Sequence, residues 1–175
     1  MHTDAPTIAA PAIAPSALQF PALGALWPGQ GGYFAGLSRS VDGRTFALII
    51  APPGCDIEDM AWGPYGKDAP NTGHWTDGAA NTQAACDIAG QDFPAAMACA
   101  ACAHDGHKDW YLPAIGELQL AHMHCKDLFK KDGYYWSSTQ GGRYYAWVQD
   151  FENGTSNLNT KDYHRRVRPA RRLFI

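Results

Sequence analysis

The chain has 175 residues, of which 46% are hydrophobic, and a formal net charge of −3. This length and composition suit one domain with a real core and an extension. The slightly acidic balance gives no global attraction to nucleic acid or to an anionic membrane surface. No stretch approaches the roughly 20 apolar residues that span a bilayer. We therefore expect neither nucleic-acid binding nor membrane insertion.

An N-terminal arm is predicted over residues 1–28, which are rich in alanine and contain five prolines. Proline removes backbone donors and fixes φ, so this segment should be extended, with the folded domain over residues 29–175. The arm lacks a basic n-region and prolines interrupt its apolar part, so it does not resemble a signal peptide. Such an arm suits docking onto a larger assembly.

Two strands are predicted after the arm, over residues 31–39 and 44–52, joined by a turn at Val41, Asp42 and Gly43. Residues 53–78 have no regular period and are rich in glycine, proline, aspartate and asparagine. A loop of this length is either functional or held down by its aromatic side chains, and we favour the second interpretation.

Three helices are predicted next, over residues 81–89, from a cap at Asp92 to residue 104, and after Pro113. The third has apolar residues recurring every three or four positions from Ile115 to Phe129, which indicates one buried face. Strands return from Tyr134 onward. Strands, then helices, then an antiparallel set predict an α+β fold with two to three helices, a small antiparallel sheet and long loops.

A hairpin with an unusual composition is predicted near the C-terminus, because Asn153-Gly154 separates two strand-like runs and favours a type I′ turn. Tyrosine, asparagine and serine are typical of adaptable binding surfaces, since tyrosine offers a wide contact area with few torsions to order. The composition therefore predicts a recognition face, made of Tyr144, Tyr145, Ser156, Asn157, Asn159, Thr160, Asp162, Tyr163 and His164.

Six basic residues lie in the last fifteen positions: Lys161, Arg165, Arg166, Arg168, Arg171 and Arg172. They could form a phosphate-binding patch, but alternate strand positions face opposite sides of a sheet. Arginines also pair readily with acids, and Asp150 and Glu152 lie nearby in the sequence. We favour ion pairing over nucleic-acid binding.

Catalysis and metal binding find weak support in the sequence. An odd count of five cysteines argues against a disulfide framework and fits a reducing cytoplasm, although one bridge remains open. Cys99 and Cys102 have zinc-like spacing but lie in an alanine-rich helical run, so we expect packing and no metal. Ser137, Ser138 and His164 carry no known catalytic motif. The chain is predicted to be no enzyme and to bind no cofactor, with Trp110, Trp136 and Trp147 in its core.

Several segments resemble a known family: DWYLPAIGEL at 109–118, WSST at 136–139, AWVQDFENGT at 146–155 and RVRPARR at 166–172. They resemble the phage and bacterial branch of the Lcl C-terminal-type domain, and WPGQGGYFAGL at 27–37 resembles the strand that opens it. The resemblance implies a C-type lectin-like fold in which the first and last strands meet. We therefore expect strands near 31–37 and 166–173 to pair.

The sequence departs from this family in two ways. The third helix has Ala114 where the family usually has Ser or Thr, and a missing cap costs roughly 0.5–2 kcal/mol. Glu117 of the capping box is retained. Sugar-binding lectins also carry a Glu-Pro-Asn or Gln-Pro-Asp tripeptide for calcium, and neither is present. Calcium-dependent sugar binding is therefore not expected, whereas hydrogen bonding and tyrosine stacking to carbohydrate stay open.

The resemblance also implies a function. In variable proteins of this type, ligand contacts flank and follow the second hairpin strand, which here adds Glu152 to the recognition face named above. The expected protein is a receptor-binding module of a phage tail fibre, assembled in the bacterial cytoplasm, or alternatively an adhesin on the bacterial surface. Its partners would be a host surface protein or glycan, other virion proteins through the arm, and further copies, with a trimer suiting a fibre tip. The alternative is a structural tail or capsid decoration protein.

Overall fold

The computed structural model describes residues 19–175, so most of the predicted arm lies outside the described residues. The described part of the arm packs against the domain. The ring of Phe20 lies 5.4 Å from that of Phe34 and 5.6 Å from that of Trp27, and Gly24 N–H donates to the Phe34 carbonyl at 2.8 Å. Residues 19–28 therefore belong structurally to the folded domain.

Within residues 19–175 the chain forms nine strands and three α-helices. The strands are β1 Leu26–Trp27, β2 Gly32–Arg39, β3 Thr45–Ile50, β4 Ile57–Ala61, β5 Tyr134–Gln140, β6 Tyr145–Asp150, β7 Ser156–Thr160, β8 His164–Val167 and β9 Ala170–Phe174. The helices are α1 Gly78–Cys86, α2 Pro94–Ala100 and α3 Ile115–Cys125. The predicted α+β class is thus confirmed.

The first sheet is antiparallel with strand order β1-β2-β3-β9. The predicted pairing of the strand near 31–37 with the one near 166–173 is wrong, because β3 lies between them. β2 and β3 form a hairpin paired from Tyr33 opposite Ile50 to Arg39 opposite Thr45, and β9 adds to the free edge of β3. The first and last strands of the domain still lie in one sheet.

The second sheet has the order β4-β8-β5-β6-β7 and is antiparallel except for one parallel contact between Tyr135 and Arg166. Strand β4 was not predicted, since residues 53–78 were expected to be loop throughout. A bulge makes β4 hard to predict from sequence. Its pairing with β8 shifts between Ile57 and Met60, so the strand lacks a clean alternation of apolar and polar residues.

The first two helices differ from prediction at their ends. α1 begins three residues earlier than expected, because Asp77 Oδ1 accepts a hydrogen bond from Ala80 N–H at 2.9 Å. α2 has Pro94 in its first turn, as predicted, but Phe93 rather than Asp92 precedes it and the helix ends at Ala100. None of the helices between residues 19 and 175 is long and apolar enough to cross a membrane.

α3 begins without the family's usual serine or threonine, yet the N–H groups of residues 114–116 have acceptors. Glu117 Oε2 accepts from Ala114 N–H at 2.8 Å. Thr139 Oγ1 on β5 accepts from Ile115 N–H at 3.0 Å, and the Trp75 carbonyl accepts from Gly116 N–H at 2.9 Å. Groups distant in sequence therefore replace the missing cap, and the expected weakness of this helix start is offset.

Both faces of the second sheet are covered around β5, which gives two main cores. One lies between the first sheet, α3 and β5 and includes Phe46, Leu118 and Tyr135. The other lies between α1, α2 and the opposite face and includes Phe93 and Trp136. Of the three tryptophans predicted to be core, Trp110 and Trp136 are buried. Trp147 is only half-buried, so that prediction is wrong for it.

A buried carboxyl at the start of α3 makes stability depend on pH. Burial raises the pKa of Glu117 to about 8, against the lowering effect of hydrogen bonds from Ala114 N–H and Tyr111 O–H. Between about pH 4.5 and pH 8 the unfolded chain loses this proton while the folded chain keeps it. This group's contribution to stability is therefore complete below about pH 4.5 and is lost as the pH rises to 8.

We predict that Glu117→Gln flattens this dependence, because glutamine cannot ionise. The midpoint of thermal unfolding, measured for both proteins from pH 5 to pH 8.5, should fall with pH more steeply in the parent than in the variant. Parallel curves would show that Glu117 is already ionised in the folded protein at pH 5.

Candidate functional site

The β6–β7 hairpin forms the centre of the predicted recognition face, but its turn differs from prediction. Asp150 N–H donates to the Thr155 carbonyl at 2.9 Å, which leaves a four-residue loop from Phe151 to Gly154 in place of a two-residue type I′ turn. Gly154 has φ 76°, as an Asn-Gly turn favours. The loop is longer because Phe151 turns inward and its ring stacks 3.6 Å from that of Phe129.

The hairpin divides the predicted residues between two faces. Successive side chains on a strand point to opposite sides, and directly paired residues share a side. Tyr145 pairs with Thr160 and Gln149 with Ser156, which places these four on one face. The other face carries two pairs, Ala146 with Asn159 and Val148 with Asn157.

An exposed apolar cluster, which we call the aromatic surface, consists of Tyr145, Trp147 and Leu158 on the first face, Trp75 beside Trp147, and Tyr144 and Tyr65 next to Tyr145 at the start of β6. Trp147 pairs directly with Leu158, and its ring lies 5.3 Å from that of Trp75. Trp75, Leu158 and Tyr145 are 45%, 44% and 43% exposed. The Tyr144 ring lies 5.1 Å from Tyr65 and 6.4 Å from Tyr145, so these three rings form a group of their own beside the Trp75–Trp147 pair.

Two glycines allow this surface to pack tightly. A Cβ at Gly141 would lie 2.3 Å from the Leu158 side chain, and one at Gly116 would lie 2.8 Å from the Trp75 carbonyl. Ser156 continues the surface as a polar margin, because its hydroxyl donates to Gln149 Oε1 at 2.8 Å and accepts from Gln119 Nε2 at 3.0 Å. These close contacts and hydrogen bonds fix the positions of the side chains that form the aromatic surface.

Sequence reasoning missed several members of this surface. Trp75 and Tyr65 lie in the segment that was predicted to be a pinned loop, Trp147 was predicted to be core, and Leu158 was passed over. The alternation of Tyr145 and Trp147 along one strand was the available signal, since it places both rings on one side.

The remaining predicted residues lie at the ends of the hairpin or near β8. Glu152 is exposed in the turn, where its N–H donates to Asp150 Oδ1 at 2.7 Å. Asp162 and Tyr163 are exposed between β7 and β8, and His164 Nδ1 lies 3.0 Å from Asp59 Oδ1. Asn159 is half-buried, and its Oδ1 accepts two hydrogen bonds from Arg165. The ten predicted residues therefore do not form one surface, since Asn157 and Asn159 lie on the opposite face of the hairpin from Tyr145 and Glu152 lies in the turn.

Four of the six C-terminal basic residues are held in ion pairs with acids other than the two expected partners. The pairs are Arg166 with Glu58 and Asp132, Arg168 with Asp56, Arg171 with Asp109, and Arg172 with Asp77. Lys161 is fully buried and its Nζ donates to Gln140 Oε1 at 2.6 Å. Burial lowers the pKa of Lys161 to about 8. Little of this cluster is available as a phosphate-binding patch.

Several of the candidate nucleophiles are buried. All five cysteines lie in the described residues and are unpaired, and burial raises the pKa of the Cys99 thiol. The Ser137 hydroxyl is buried and donates to the Trp147 carbonyl at 2.9 Å. Across residues 19–175, no group of three or more His, Cys, Asp or Glu side chains is arranged to hold a metal ion.

The two sheets, the three helices and the exposed hairpin define an α+β domain that presents an aromatic surface. The chain belongs to the Lcl C-terminal domain family, whose model matches residues 66–171, more than half of the sequence. This match confirms the resemblance and includes all three helices and the whole hairpin. No curated protein matches the chain closely enough to serve as a relative. Family membership favours a receptor-binding type of module.

Proposed function

We propose that this chain is a non-enzymatic recognition module that attaches a phage to its host, carried on the tail fibre and contacting a surface protein or glycan. The N-terminal arm would dock on other virion proteins, and several copies, such as a trimer, would present the surface together. The Lcl C-terminal family supports the phage setting. The C-type lectin-like fold is part of this proposal: the first and last strands lie in one sheet, as that fold requires, although β3 separates β2 from β9.

The aromatic surface is the single observation that carries this proposal. Trp75, Tyr145 and Leu158 are each more than two-fifths exposed, although tryptophan and leucine are usually covered. An exposed group of adjoining apolar side chains with a polar margin is typical of an interaction site. Tryptophan and tyrosine also contribute a disproportionate share of binding energy in known interfaces. The hairpin therefore has the composition and exposure of a binding face.

We predict that Tyr145→Ala combined with Leu158→Ala sharply reduces attachment. Both side chains are largely exposed, so the free energy of unfolding should change by about 1 kcal/mol or less in total. Truncating a side chain at the centre of an interface costs roughly 2 kcal/mol of binding free energy, which corresponds to about 30-fold in affinity. The measurement is the adsorption rate of phage particles carrying the variant chain to the bacterial strain on which the phage grows.

A matched control removes two exposed apolar side chains from the first sheet and its turn, Leu37→Ala with Val41→Ala, which are 49% and 60% exposed in the parent. These particles should adsorb at the parental rate. Normal adsorption by the Tyr145/Leu158 variant would overturn the proposed site. Particles that fail to incorporate the variant chain would instead favour the structural role, in which the same surface packs against neighbouring virion proteins.

A further inference from the structure

The outer edge of β7 lies beside the aromatic surface, and within residues 19–175 no strand pairs with it. β7 ends the second sheet, with β6 on its inner side. An edge strand presents a row of backbone N–H and C=O groups to which another chain can add, so most proteins protect such edges. An unprotected edge is therefore a candidate interaction site.

The other three sheet edges of the described domain carry features that hinder pairing. β1 has only two residues. β4 contains a bulge and two adjacent acids, Glu58 and Asp59. β9 carries two adjacent arginines, and its Ala170 already exchanges two backbone hydrogen bonds with Tyr111. Short strands, bulges and charges are the usual means of protecting an edge.

β7 has none of these features. Its sequence, Ser-Asn-Leu-Asn-Thr, contains no charged residue and no proline. Its pairing with β6 is regular from Ser156 to Thr160, without a bulge. All five side chains are exposed or half-buried. Among the four sheet edges within residues 19–175, that of β7 is thus the one open to pairing.

The register shows which backbone groups of β7 point outward. Asp150 N–H donates to the Thr155 carbonyl at 2.9 Å, and Lys161 N–H donates to the Tyr144 carbonyl at 3.0 Å. Directly opposed residues in an antiparallel pair alternate between bonded and non-bonded, so the odd-numbered residues from 155 to 161 bond to β6. The residues that turn N–H and C=O outward are Ser156, Leu158 and Thr160.

Most of these outward groups can still form a bond. The three N–H groups donate to no other acceptor within residues 19–175. The Thr160 carbonyl accepts from Tyr163 N–H at 3.0 Å, and the Leu158 carbonyl accepts from Asn159 Nδ2 at 3.0 Å. A carbonyl has two lone pairs, so that of Leu158 can accept a second bond. The edge therefore offers three donors and the carbonyls of Ser156 and Leu158, repeating about every 6.8 Å.

The side chains at these same three positions lie on the face of the aromatic surface. In an added antiparallel strand, a residue opposite Leu158 would place its side chain on that face, next to Leu158 and Trp147. Residues opposite Asn157 and Asn159 would point to the other face, beside polar amides. The edge consequently fits a strand that alternates apolar and polar residues.

A second copy of β7 fits this edge less well than a strand of another protein. It would bring one apolar side chain, Leu158, to the aromatic face and hydroxyl groups at the two flanking positions, Ser156 and Thr160. A strand with apolar residues at all three positions covers more apolar area. A saccharide has no ladder of N–H and C=O groups with this repeat, whereas a protein main chain has one.

We propose that β7 receives an extended segment of a receptor protein by antiparallel strand addition, with alternate apolar side chains of the segment on the aromatic surface. This inference rests on the proposed recognition function and names its partner as a protein rather than a glycan. The outward N–H groups of β7 donate to carbonyls of the segment. Its N–H groups donate to the carbonyls of Ser156 and Leu158.

Thr160→Pro tests the edge, because proline removes an outward N–H without breaking a bond to β6. Thr160→Val is the matched variant that keeps this N–H. Phage particles carrying Thr160→Pro should adsorb to the host about tenfold more slowly than those carrying Thr160→Val, since a hydrogen bond and close approach of the segment are lost. Thermal unfolding of both purified chains, with midpoints within a few degrees of each other, shows that Thr160→Pro folds.

Treating the bacteria with proteinase K needs no variant and decides the class of partner independently. Adsorption of parental particles should fall at least tenfold after treatment and should survive periodate oxidation of surface glycans. Equal adsorption by the two Thr160 variants, or adsorption that survives proteinase and is lost to periodate, would overturn the inference. So would sedimentation equilibrium that shows a dimer of the parent chain and a monomer of Thr160→Pro, because a second copy would then occupy the edge.

These outcomes are separable from the failure of the proposed function. If the inference fails while the Tyr145/Leu158 variant adsorbs poorly, the recognition role of the aromatic surface stands. If Thr160→Pro adsorbs poorly while the Tyr145/Leu158 variant adsorbs normally, strand addition stands and the aromatic surface is not the site.

Discussion

Asp56→Ala should destabilise the domain by about 3–5 kcal/mol, because it removes the partner of a buried cation. The side chain of Arg168 is fully buried and that of Asp56 is 6% exposed, with 2.5 Å between Nε and Oδ1. Arg168 also donates to the Leu128 carbonyl at 3.0 Å and lies over the Phe129 ring. Without Asp56 the Arg168 charge has no anionic partner in the core, so the midpoint of thermal unfolding should fall by roughly 10 °C.

An exposed pair provides the control for this prediction. Arg44 and Asp42 lie 2.7 Å apart with side chains 60% and 50% exposed, so water already solvates both charges. Asp42→Ala should therefore shift unfolding by about 1 kcal/mol or less. If the two variants lose equal stability, the Asp56–Arg168 pair is solvated in solution and does not tie the start of β4 to the end of β8.

Gly78→Ala is the second substitution for which we expect a large effect. We expect it to lower the free energy of unfolding, although helix propensity alone would predict an increase. Alanine normally stabilises a helix relative to glycine by about 1 kcal/mol. At Gly78, however, a Cβ would lie 2.5 Å from Ala114 N, 2.5 Å from Glu117 Oε2 and 2.6 Å from the Leu112 carbonyl. These are backbone and buried groups that cannot move aside cheaply, so we expect a net loss of about 2–3 kcal/mol in denaturant unfolding.

Gly73→Ala is the matched control, since a Cβ there would meet no atom within 4 Å. Restricting the unfolded chain should make this variant neutral or more stable by up to about 1 kcal/mol. A stable Gly78→Ala protein would mean that α1 and the start of α3 can separate without cost. The close approach of these two helix ends would then contribute little to the fold.

The sequence predicts the elements that depend on local signals and misses those that depend on distant partners. The β2–β3 hairpin, the first turn of α2 and the buried face of α3 follow from turn residues, proline and apolar spacing. β4 was missed because its bulge breaks the alternation that marks a strand. The cap of α3 could not be predicted either, because Thr139 lies on another element and only the folded chain brings it to Ile115.

The hairpin was predicted, but its strand register differs from the prediction, and this difference traces to one buried ring. A two-residue turn at Asn153-Gly154 would place Trp147 opposite Thr160. The observed loop shifts the register by two residues and places Trp147 opposite Leu158. A shift of two keeps every side chain on its predicted face but changes its neighbour. The inward turn of Phe151 causes this shift, and its burial depends on packing that the local sequence does not encode.

The hydrogen bond from Gly116 N–H to the Trp75 carbonyl affects how a ligand would be received. It ties the main chain of an exposed tryptophan to the first turn of a buried helix, so the backbone that carries this indole is held in position before any partner arrives. Binding loses affinity when side chains and loops must be immobilised, at about 0.5–1.5 kcal/mol for each flexible side chain. At Trp75 the backbone is already ordered once the domain has folded, so a ligand bound at the hairpin loses less affinity to this cost and should dissociate slowly.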